Sequence, residues 1–313
     1  MIRKLIIIGS GPAGYTAGVY AARAKLEPLI LAGETHGGQL MNTTLVENWP
    51  GSQSGILGPD LMKEMREQAQ KFGAEIFDKN VSKVDFSQRP FTVDDYRADS
   101  VIITTGASSI LLGVPGEKEF LGRGVATCAV CDAAFYKDKV AAVIGGGDSA
   151  CEDALTLTKY AKQVYLVVRR DVLRASKIMA ERVTKHPKIK ITWKTELKQV
   201  IGDQKVTAME FTSGEKLVTD GVFLAIGHQP ATEIFAGQLD LDEKGFIKTQ
   251  WLYPQSKNSW LEGYPSMTSV AGVFAAGDVV DHRYKQAITA AGMGCMAALD
   301  AEKWRESQGD DVK

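Results

Sequence analysis

The chain has little cysteine, almost no net charge and no long apolar run, and each shortage disfavours a class of protein. Only four cysteines occur in 313 residues, which is typical of a reducing compartment and too few for a secreted fold held by disulfides. The net charge is −1, so electrostatics give no reason to expect nucleic acid or an anionic membrane as partner. No apolar run reaches the roughly 18 residues that span a bilayer. We therefore expect a cytoplasmic protein without nucleic-acid or membrane partners.

Two glycine-rich loops are present, and each lies between a predicted strand and a predicted helix. The first follows the apolar run at residues 4–8 and the second follows the run at 139–144. The chain is also long enough for about two domains. We predict an α/β fold with two doubly wound, Rossmann-like nucleotide-binding domains.

The first loop has the GxGxxG spacing of a pyrophosphate site and consists of Gly9, Ser10, Gly11, Pro12, Ala13 and Gly14. Its first glycine permits a tight turn, its second lets backbone N–H groups approach the phosphates, and its third allows close helix packing. A merely structural turn is the alternative, which the clean strand before the loop disfavours. An acidic residue about 20 positions on is expected to bind ribose hydroxyls, and Glu34 lies near that distance.

The second loop has the GxGxxA variant, and its candidate ligands are Gly145, Gly147, Asp148, Ser149 and Ala150. About 20 residues later, where an NAD site has an acid, the chain has Arg169 and Arg170, with Arg174 one turn on. Guanidinium groups bind a 2′-phosphate bidentately, so this pattern predicts NADPH. A solvated surface run is the alternative, and the preceding glycine loop makes it the less favoured one.

Cys128 and Cys131 form a CxxC pair just ahead of the second loop. Close thiols can cycle between dithiol and disulfide. Zinc is the competing interpretation, but the chain has no second CxxC and no HxxxH to complete four ligands, so we predict no metal site. A dithiol beside a nicotinamide site suggests electron transfer to sulfur, and the first loop allows a flavin between the two. The other cysteines, Cys151 and Cys295, are interpreted as packing groups on helices.

Taken in order, these motifs resemble the low-molecular-weight thioredoxin reductases over nearly the whole chain. The matching segments are GSGPAG at 9–14, GGQL at 37–40, VENWPG at 46–51, CAVCD at 128–132, GGGDSA at 145–150, RRDVLRAS at 169–176, GVFAAGDV at 272–279 and QAITAAGMGCMAALDAE at 286–302. One departure is Val168, where the family usually has a histidine ahead of the two arginines.

The resemblance implies an FAD domain made of residues 1–112 and 244–313, with an NADPH domain at 113–243 inserted between them. It implies that Asp278 binds the ribityl chain of FAD, and a helix-capping role is the alternative. It places Asn48 near the flavin, where an ordinary turn asparagine is the alternative. The other FAD candidates it supplies are Gly38, Gln39, Leu40, Gly106, Gly277, Gln286 and Ala287.

The resemblance also implies the activity, which is NADPH-dependent reduction of thioredoxin or a thioredoxin-like protein by a homodimer. Cys131 would face the flavin, Cys128 would attack the thioredoxin disulfide, and Asp132 would help to move protons; a capping role is the alternative for Asp132. Two other functions stay open: a flavoprotein serving a different CxxC carrier, and an FAD-holding redox sensor without turnover. The aromatic segment at 250–265 is interpreted as a surface hairpin or an interface piece.

Overall fold

The structure is a computed structural model that describes residues 2–250 and 263–309. The chain forms two compact units: the outer unit takes in residues up to Ser108 and from Gln229 onward, and the central unit spans Ser109–His228. The domain boundaries predicted from the sequence, at 112/113 and 243/244, lie C-terminal to the boundaries between the two units, at 108/109 and 228/229. Most of the aromatic segment at 250–265 lies outside the described residues.

Both units contain strands and helices. The strands are β1 (Ile2–Ile8), β2 (Leu29–Leu31), β3 (Leu45–Val46), β4 (Ile56–Leu57), β5 (Glu75–Phe77), β6 (Val84–Asp85), β7 (Phe91–Val93), β8 (Tyr96–Ile103), β9 (Ala107–Ser109), β10 (Val125–Ala126), β11 (Val140–Ile144), β12 (Gln163–Val168), β13 (Ile189–Trp193), β14 (Leu197–Gly202), β15 (Val206–Phe211), β16 (Lys216–Val218), β17 (Gly221–Leu224), β18 (His228–Pro230) and β19 (Val273–Ala275). The α-helices are α1 (Pro12–Arg23), α2 (Gly58–Lys71), α3 (Ala129–Asp132), α4 (Asp148–Leu157), α5 (Lys177–Lys185) and α6 (Ala287–Ser307). Among the residues described, no helix is both long and apolar enough to cross a membrane.

The outer unit is built on a seven-stranded sheet in the order β5-β2-β1-β8-β7-β6, with β19 also paired to β8. Strands β1, β2, β8, β5 and β19 run parallel, so their carboxyl ends meet at one edge of the sheet. The first glycine loop leaves β1 at this edge. Ligands of open α/β sheets bind outside the carboxyl ends of the strands, so the fold places the first nucleotide loop where such a site is expected.

Successive apolar side chains of β1 are buried on opposite faces of the sheet, so the sheet is covered on both faces. Leu5 and Ile7 are fully buried in a cluster that includes residues of α1 and α6. Ile6 and Ile8 are buried in a second cluster with β6, β7 and the segment around Phe235. Successive strand residues point to opposite faces, and burying each such side chain contributes roughly 1.5–3 kcal/mol. The result is a rigid platform beneath the loop.

The central unit repeats this plan with a parallel sheet in the order β10-β17-β11-β12-β13 and a separate antiparallel sheet, β14-β15-β16. Val143 of β11 packs in the cluster that contains α4, and Ile144 packs toward β14 and β15. The second glycine loop leaves the carboxyl end of β11. The prediction of an α/β fold with two Rossmann-like units is therefore confirmed.

Candidate nucleotide and dithiol sites

The first glycine loop is tightly packed at its ends and open in its middle. Gly9 has a φ of 112°, and a Cβ there would lie 2.3 Å from the carbonyl oxygen of Thr104. A Cβ on Gly14 would lie 2.3 Å from the carbonyl oxygen of Gly9. In contrast, a Cβ on Gly11 would meet nothing within 4 Å. Packing thus accounts for the outer two glycines, whereas the middle one keeps open the space beside the backbone.

That open space lies at the start of α1, which has no side-chain cap. Gly11 is the residue before the helix, and Pro12 is its first residue. The first N–H groups of a helix have no partner within the helix and attract anions. The uncapped helix and the open middle glycine fit the pyrophosphate of a dinucleotide.

Ser10 ties the neighbouring loop to this site. Its buried hydroxyl donates to the carbonyl of Ala32 at 2.6 Å and accepts from the amide of Gly37 at 3.0 Å. Gly38 consequently lies beside the glycine loop, because a Cβ on it would be 3.3 Å from the Cα of Gly11. Gln39 and Leu40 follow in the short 3-10 helix Gly38–Asn42.

Two other FAD candidates lie in loops of the outer unit. Glu34 is exposed and lies beyond the end of β2, with its amide donating to Asn80 Oδ1 at 3.0 Å. Gly106 follows β8 with a φ of 73°, and its carbonyl accepts from the amide of Ala231 at 3.0 Å. The contact of Glu34 with the FAD ribose stays a prediction.

Gly277 brings the C-terminal segment directly against the first loop. A Cβ on Gly277 would lie 2.9 Å from the Cβ of Ala13. A Cβ on Gly294 of α6, a position that the sequence analysis did not single out, would lie 2.1 Å from the carbonyl oxygen of Ala13. Two glycines distant in sequence therefore let the C-terminal part of the chain close on the start of α1.

Asp278 carries the clearest sign of a ligand. Its Oδ1 is buried and has no hydrogen-bond partner among the described residues. Burial, and to a lesser extent the nearby Asp281 carboxylate, raise the pKa of Asp278 to about 7 against the opposing effect of Lys285. Asp278 precedes no helix directly, since α6 begins at Ala287 and is capped by Gln286, so the capping alternative does not hold. Because an unsatisfied buried acceptor costs about 1–3 kcal/mol, this carboxyl fits a hydroxyl-bearing chain such as ribityl.

The raised pKa of Asp278 predicts a pH-dependent effect of Asp278→Asn on stability. The pKa of an unfolded Asp is about 3.9, so the stabilising contribution of the protonated folded form is complete below that pH and is lost as the pH rises through about 7. We expect the flavin-free Asn variant to exceed the parent in unfolding free energy at pH 8 by roughly 2–4 kcal/mol, with the gap closing near pH 4. Urea unfolding at both pH values measures this, and an equal effect at both would contradict it.

Asp281 organises the turn that leads into α6, a role that the sequence analysis missed. Its carboxylate accepts from the amides of Arg283, Tyr284 and Lys285 at 2.8, 2.8 and 2.9 Å. Asp281 is 3% exposed. The Asp-x-x-x-Lys turn has no distinctive sequence signal, because an aspartate that caps a turn looks like any loop aspartate.

The turn delivers Gln286 to Asn48. Gln286 caps α6 in a reciprocal box with Thr289, and its Oε1 accepts from Asn48 Nδ2 at 3.4 Å. Ala287 is the first residue of the helix. The structure thus joins the candidates Asn48 and Gln286, which come from opposite ends of the chain.

The second loop, like the first, has a tightly packed first glycine and an open glycine before an uncapped helix. A Cβ on Gly145, which has a φ of 150°, would lie 2.5 Å from the carbonyl oxygen of Ala225. A Cβ on Gly147 would meet nothing within 4 Å, and Gly147 precedes α4 without a side-chain cap. Ser149 is exposed, and Ala150 is fully buried. This helix start also fits a pyrophosphate.

The three candidate arginines lie beside this loop. Arg169, Arg170 and Arg174 are exposed, and none has a side-chain hydrogen bond or ion pair within the part of the chain that the structure describes. The amide of Arg174 donates to the carbonyl of Gly146 at 2.7 Å. Unpaired guanidinium groups next to a nucleotide loop fit a 2′-phosphate.

The CxxC pair forms a disulfide, with 5.3 Å between the Cα atoms of Cys128 and Cys131. Cys128 is half-buried and precedes α3, and the amide of Cys131 donates to its Sγ at 3.2 Å. Cys131 itself is exposed. The pair is held in place by Ala129 and Ala133, which are buried in the same core as α4.

Asp132 follows directly, and burial raises its pKa to about 6. Its side chain makes no capping bond to the following turn. Of the two other cysteines, Cys151 is fully buried in the core of the central unit, and burial raises its pKa to about 11. Cys295 is only partly buried. Cys151 thus has the packing role expected of it.

Comparison with known proteins agrees with these motifs. Residues 3–294 match the model of the pyridine nucleotide-disulphide oxidoreductase family. The thioredoxin reductase of Streptomyces coelicolor is 50% identical over 100% of this chain and 97% of its own length, and that of Escherichia coli O157:H7 is 48% identical over 98% and 97%. The solved thioredoxin reductase of Giardia duodenalis is 42% identical with a TM-score of 0.88, covering 97% of this chain and 98% of that one. The chain belongs to the thioredoxin reductases within the pyridine nucleotide-disulphide oxidoreductase family.

Proposed function

We propose that this chain catalyses the NADPH-dependent reduction of the disulfide of thioredoxin or a thioredoxin-like protein. Bound FAD supplies the chemistry that connects a hydride donor to a disulfide. The observation that carries the proposal is the Cys128–Cys131 disulfide in the same unit as a nucleotide loop flanked by unpaired arginines. The outer unit supplies a second, independent nucleotide loop.

The outer unit is proposed to hold FAD. The uncapped start of α1 and the open side of Gly11 would receive its pyrophosphate, and the orphaned Oδ1 of Asp278 would bind a ribityl hydroxyl. Gly38, Gln39, Leu40, Glu34, Asn48, Gly106, Gln286 and Ala287 are proposed to complete the site.

A matched pair of alanine variants tests the first loop. Gly9→Ala should lower the stability of the flavin-free protein by more than about 1–2 kcal/mol, because it combines a left-handed φ with a clash against Thr104. Gly11→Ala has an ordinary φ of −70° and open space, so its unfolding midpoint should match that of the parent.

Although its stability should be unchanged, Gly11→Ala should bind FAD roughly tenfold more weakly than the parent. The added Cβ occupies the approach to the backbone N–H groups, and the loss of one hydrogen bond costs ~1.4 kcal/mol. Quenching of free flavin fluorescence during reconstitution measures this affinity. Unchanged FAD affinity would show that the pyrophosphate does not lie at Gly11.

Electrons would leave the protein by thiol–disulfide exchange. In the reduced enzyme, the Cys128 thiolate attacks one sulfur of the thioredoxin disulfide, forming a mixed disulfide and releasing the other sulfur as a thiolate. Cys131 then attacks Cys128, which frees the second thioredoxin thiolate and restores the Cys128–Cys131 disulfide. The amide of Cys131 favours the thiolate of Cys128, because it donates to that sulfur. Asp132, whose burial raises its pKa to about 6, can exchange protons near neutral pH.

A cytoplasmic homodimer is part of the proposal. The small number of cysteines supports the compartment, and the family resemblance supports the dimer. Light scattering of the purified holoenzyme measures its mass, and a monomer at working concentration would reject the dimer.

One titration separates the proposed function from its two rivals. The visible spectrum of the purified protein is followed on adding NADPH and then oxidised thioredoxin. Bleaching of the flavin followed by reoxidation with thioredoxin supports the proposal. Reoxidation only by another CxxC protein would support a different carrier, and bleaching without turnover would support a sensor.

A further inference from the structure

Asp148, the first residue of α4, holds the arginine-bearing loop against the second glycine loop. Its Oδ1 accepts from the amide of Ser176 at 2.8 Å. Two residues earlier, the amide of Arg174 donates to the carbonyl of Gly146 at 2.7 Å. Residues 171–176 form neither helix nor strand, so these two bonds define the path of the backbone that carries Arg174.

The other two arginines are held differently. Arg169 and Arg170 follow β12 directly. Two backbone hydrogen bonds of 3.1 Å hold this segment at the sheet edge: the amide of Thr195 donates to the carbonyl of Val168, and the amide of Lys194 donates to that of Arg170. Their positions therefore do not depend on Asp148. Arg174 is the arginine whose place is set by the loop that Asp148 fastens.

Asp148 is an unexpected residue beside a phosphate site, because its charge repels a phosphate. Its carboxylate interacts favourably with the start of α4, an interaction that stabilises the helix without attracting a phosphate. Loss of the Asp148 charge and loss of its positioning bond should therefore change binding of the 2′-phosphate in opposite directions. If charge dominates, removing the carboxylate strengthens binding of a 2′-phosphate; if position dominates, removing it weakens binding.

We propose that Asp148 is a positioning residue for coenzyme selectivity: it presents Arg174 to the 2′-phosphate and does not itself bind that phosphate. The inference rests on the proposed use of NADPH. The amide of Ser176 donates to Oδ1 of Asp148, and a carboxylate group only accepts hydrogen bonds, as a phosphate oxygen also does.

The test compares Asp148→Ala with Asp148→Asn, which keeps an Oδ1 acceptor but removes the charge. In the holoenzyme, calorimetry measures binding of adenosine 2′,5′-bisphosphate and of 5′-AMP, and kinetics gives the NADPH to NADH ratio of kcat/KM. We expect Asp148→Ala to weaken bisphosphate binding and to lower the ratio by roughly tenfold, the value of one charged hydrogen bond. Asp148→Asn should bind the bisphosphate at least as tightly as the parent.

Glu152→Ala is the matched control, because Glu152 is an exposed carboxylate on the same helix. It reports the effect of charge alone and should leave bisphosphate binding equal or slightly stronger. A double-mutant cycle adds the decisive readout: Arg174→Ala should cost much less in the Asp148→Ala background than in the parent.

Several results would overturn the positioning role: tighter or unchanged bisphosphate binding by Asp148→Ala, equal losses for the bisphosphate and 5′-AMP, an Asn variant as weak as the Ala variant, or additivity with Arg174→Ala. Arg169→Ala and Arg170→Ala separate this failure from failure of the proposed function. If they weaken the bisphosphate while Asp148→Ala does not, only the positioning role is lost. If they have no effect either, the assignment of NADPH to this loop fails.

Discussion

Cys128→Ser and Cys131→Ser should each abolish thioredoxin reduction, while NADPH still bleaches the flavin. A serine hydroxyl cannot form the disulfide that accepts or delivers electrons, so thioredoxin reduction should fall to the rate measured without enzyme. Steady-state NADPH oxidation with thioredoxin measures turnover, and anaerobic flavin absorbance measures the first step. Cys295→Ser is the control, because Cys295 lies on α6 and outside the disulfide. Turnover above background in either CxxC variant would remove the dithiol from the pathway.

The same variants assign the roles of the two sulfurs. The greater exposure of Cys131 favours it as the sulfur that meets thioredoxin, whereas the amide bond to Cys128 favours Cys128 as the nucleophile. The family resemblance agrees with the second assignment. If Cys131 faces the flavin, its thiolate in Cys128→Ser should give a long-wavelength charge-transfer band. A band found only in Cys131→Ser would reverse the assignment.

Replacing Arg169 and Arg170 together with alanine should collapse the preference for NADPH over NADH. Each charged hydrogen bond contributes roughly 1.5–3 kcal/mol, so losing two should lower NADPH kcat/KM on the order of 10²-fold or more. NADH lacks the 2′-phosphate and should be affected far less. Arg182→Ala is the matched control, because Arg182 is an exposed arginine on α5 that no proposed contact involves.

The pattern of losses is what identifies the contact. Equal losses with both coenzymes would mean that these arginines support the nucleotide loop in general. Activity with NADPH should also weaken with rising salt, because the arginines are exposed and their attraction to the phosphate is screened.

Much of the fold follows from local sequence patterns. The apolar run before Gly9 predicts β1, and the structure begins that strand at Ile2 and ends it at Ile8. Helix α4 begins at Asp148, three residues before the apolar periodicity starts at Cys151. Its first turn is polar because it lies at the open mouth of the glycine loop, where hydrophobic periodicity gives no signal.

The contacts between distant segments were beyond prediction from residues alone. The hydrogen bond between Asn48 and Gln286 depends on the turn that Asp281 organises. That Oδ1 of Asp278 is buried without a hydrogen-bond partner among the described residues is seen only in the folded chain. Local patterns identify the loops at which strands end. They do not report how residues far apart in the chain are brought together.

The most direct test is an anaerobic single-turnover reaction of the purified FAD-loaded enzyme with limiting NADPH and excess oxidised thioredoxin. Thiols on thioredoxin and remaining NADPH are measured in the same sample. Transfer through Cys128 and Cys131 predicts one thioredoxin dithiol for every NADPH consumed, and none in either serine variant. Consumption of NADPH without thioredoxin thiols, or equal thiol yield from Cys128→Ser, would contradict it.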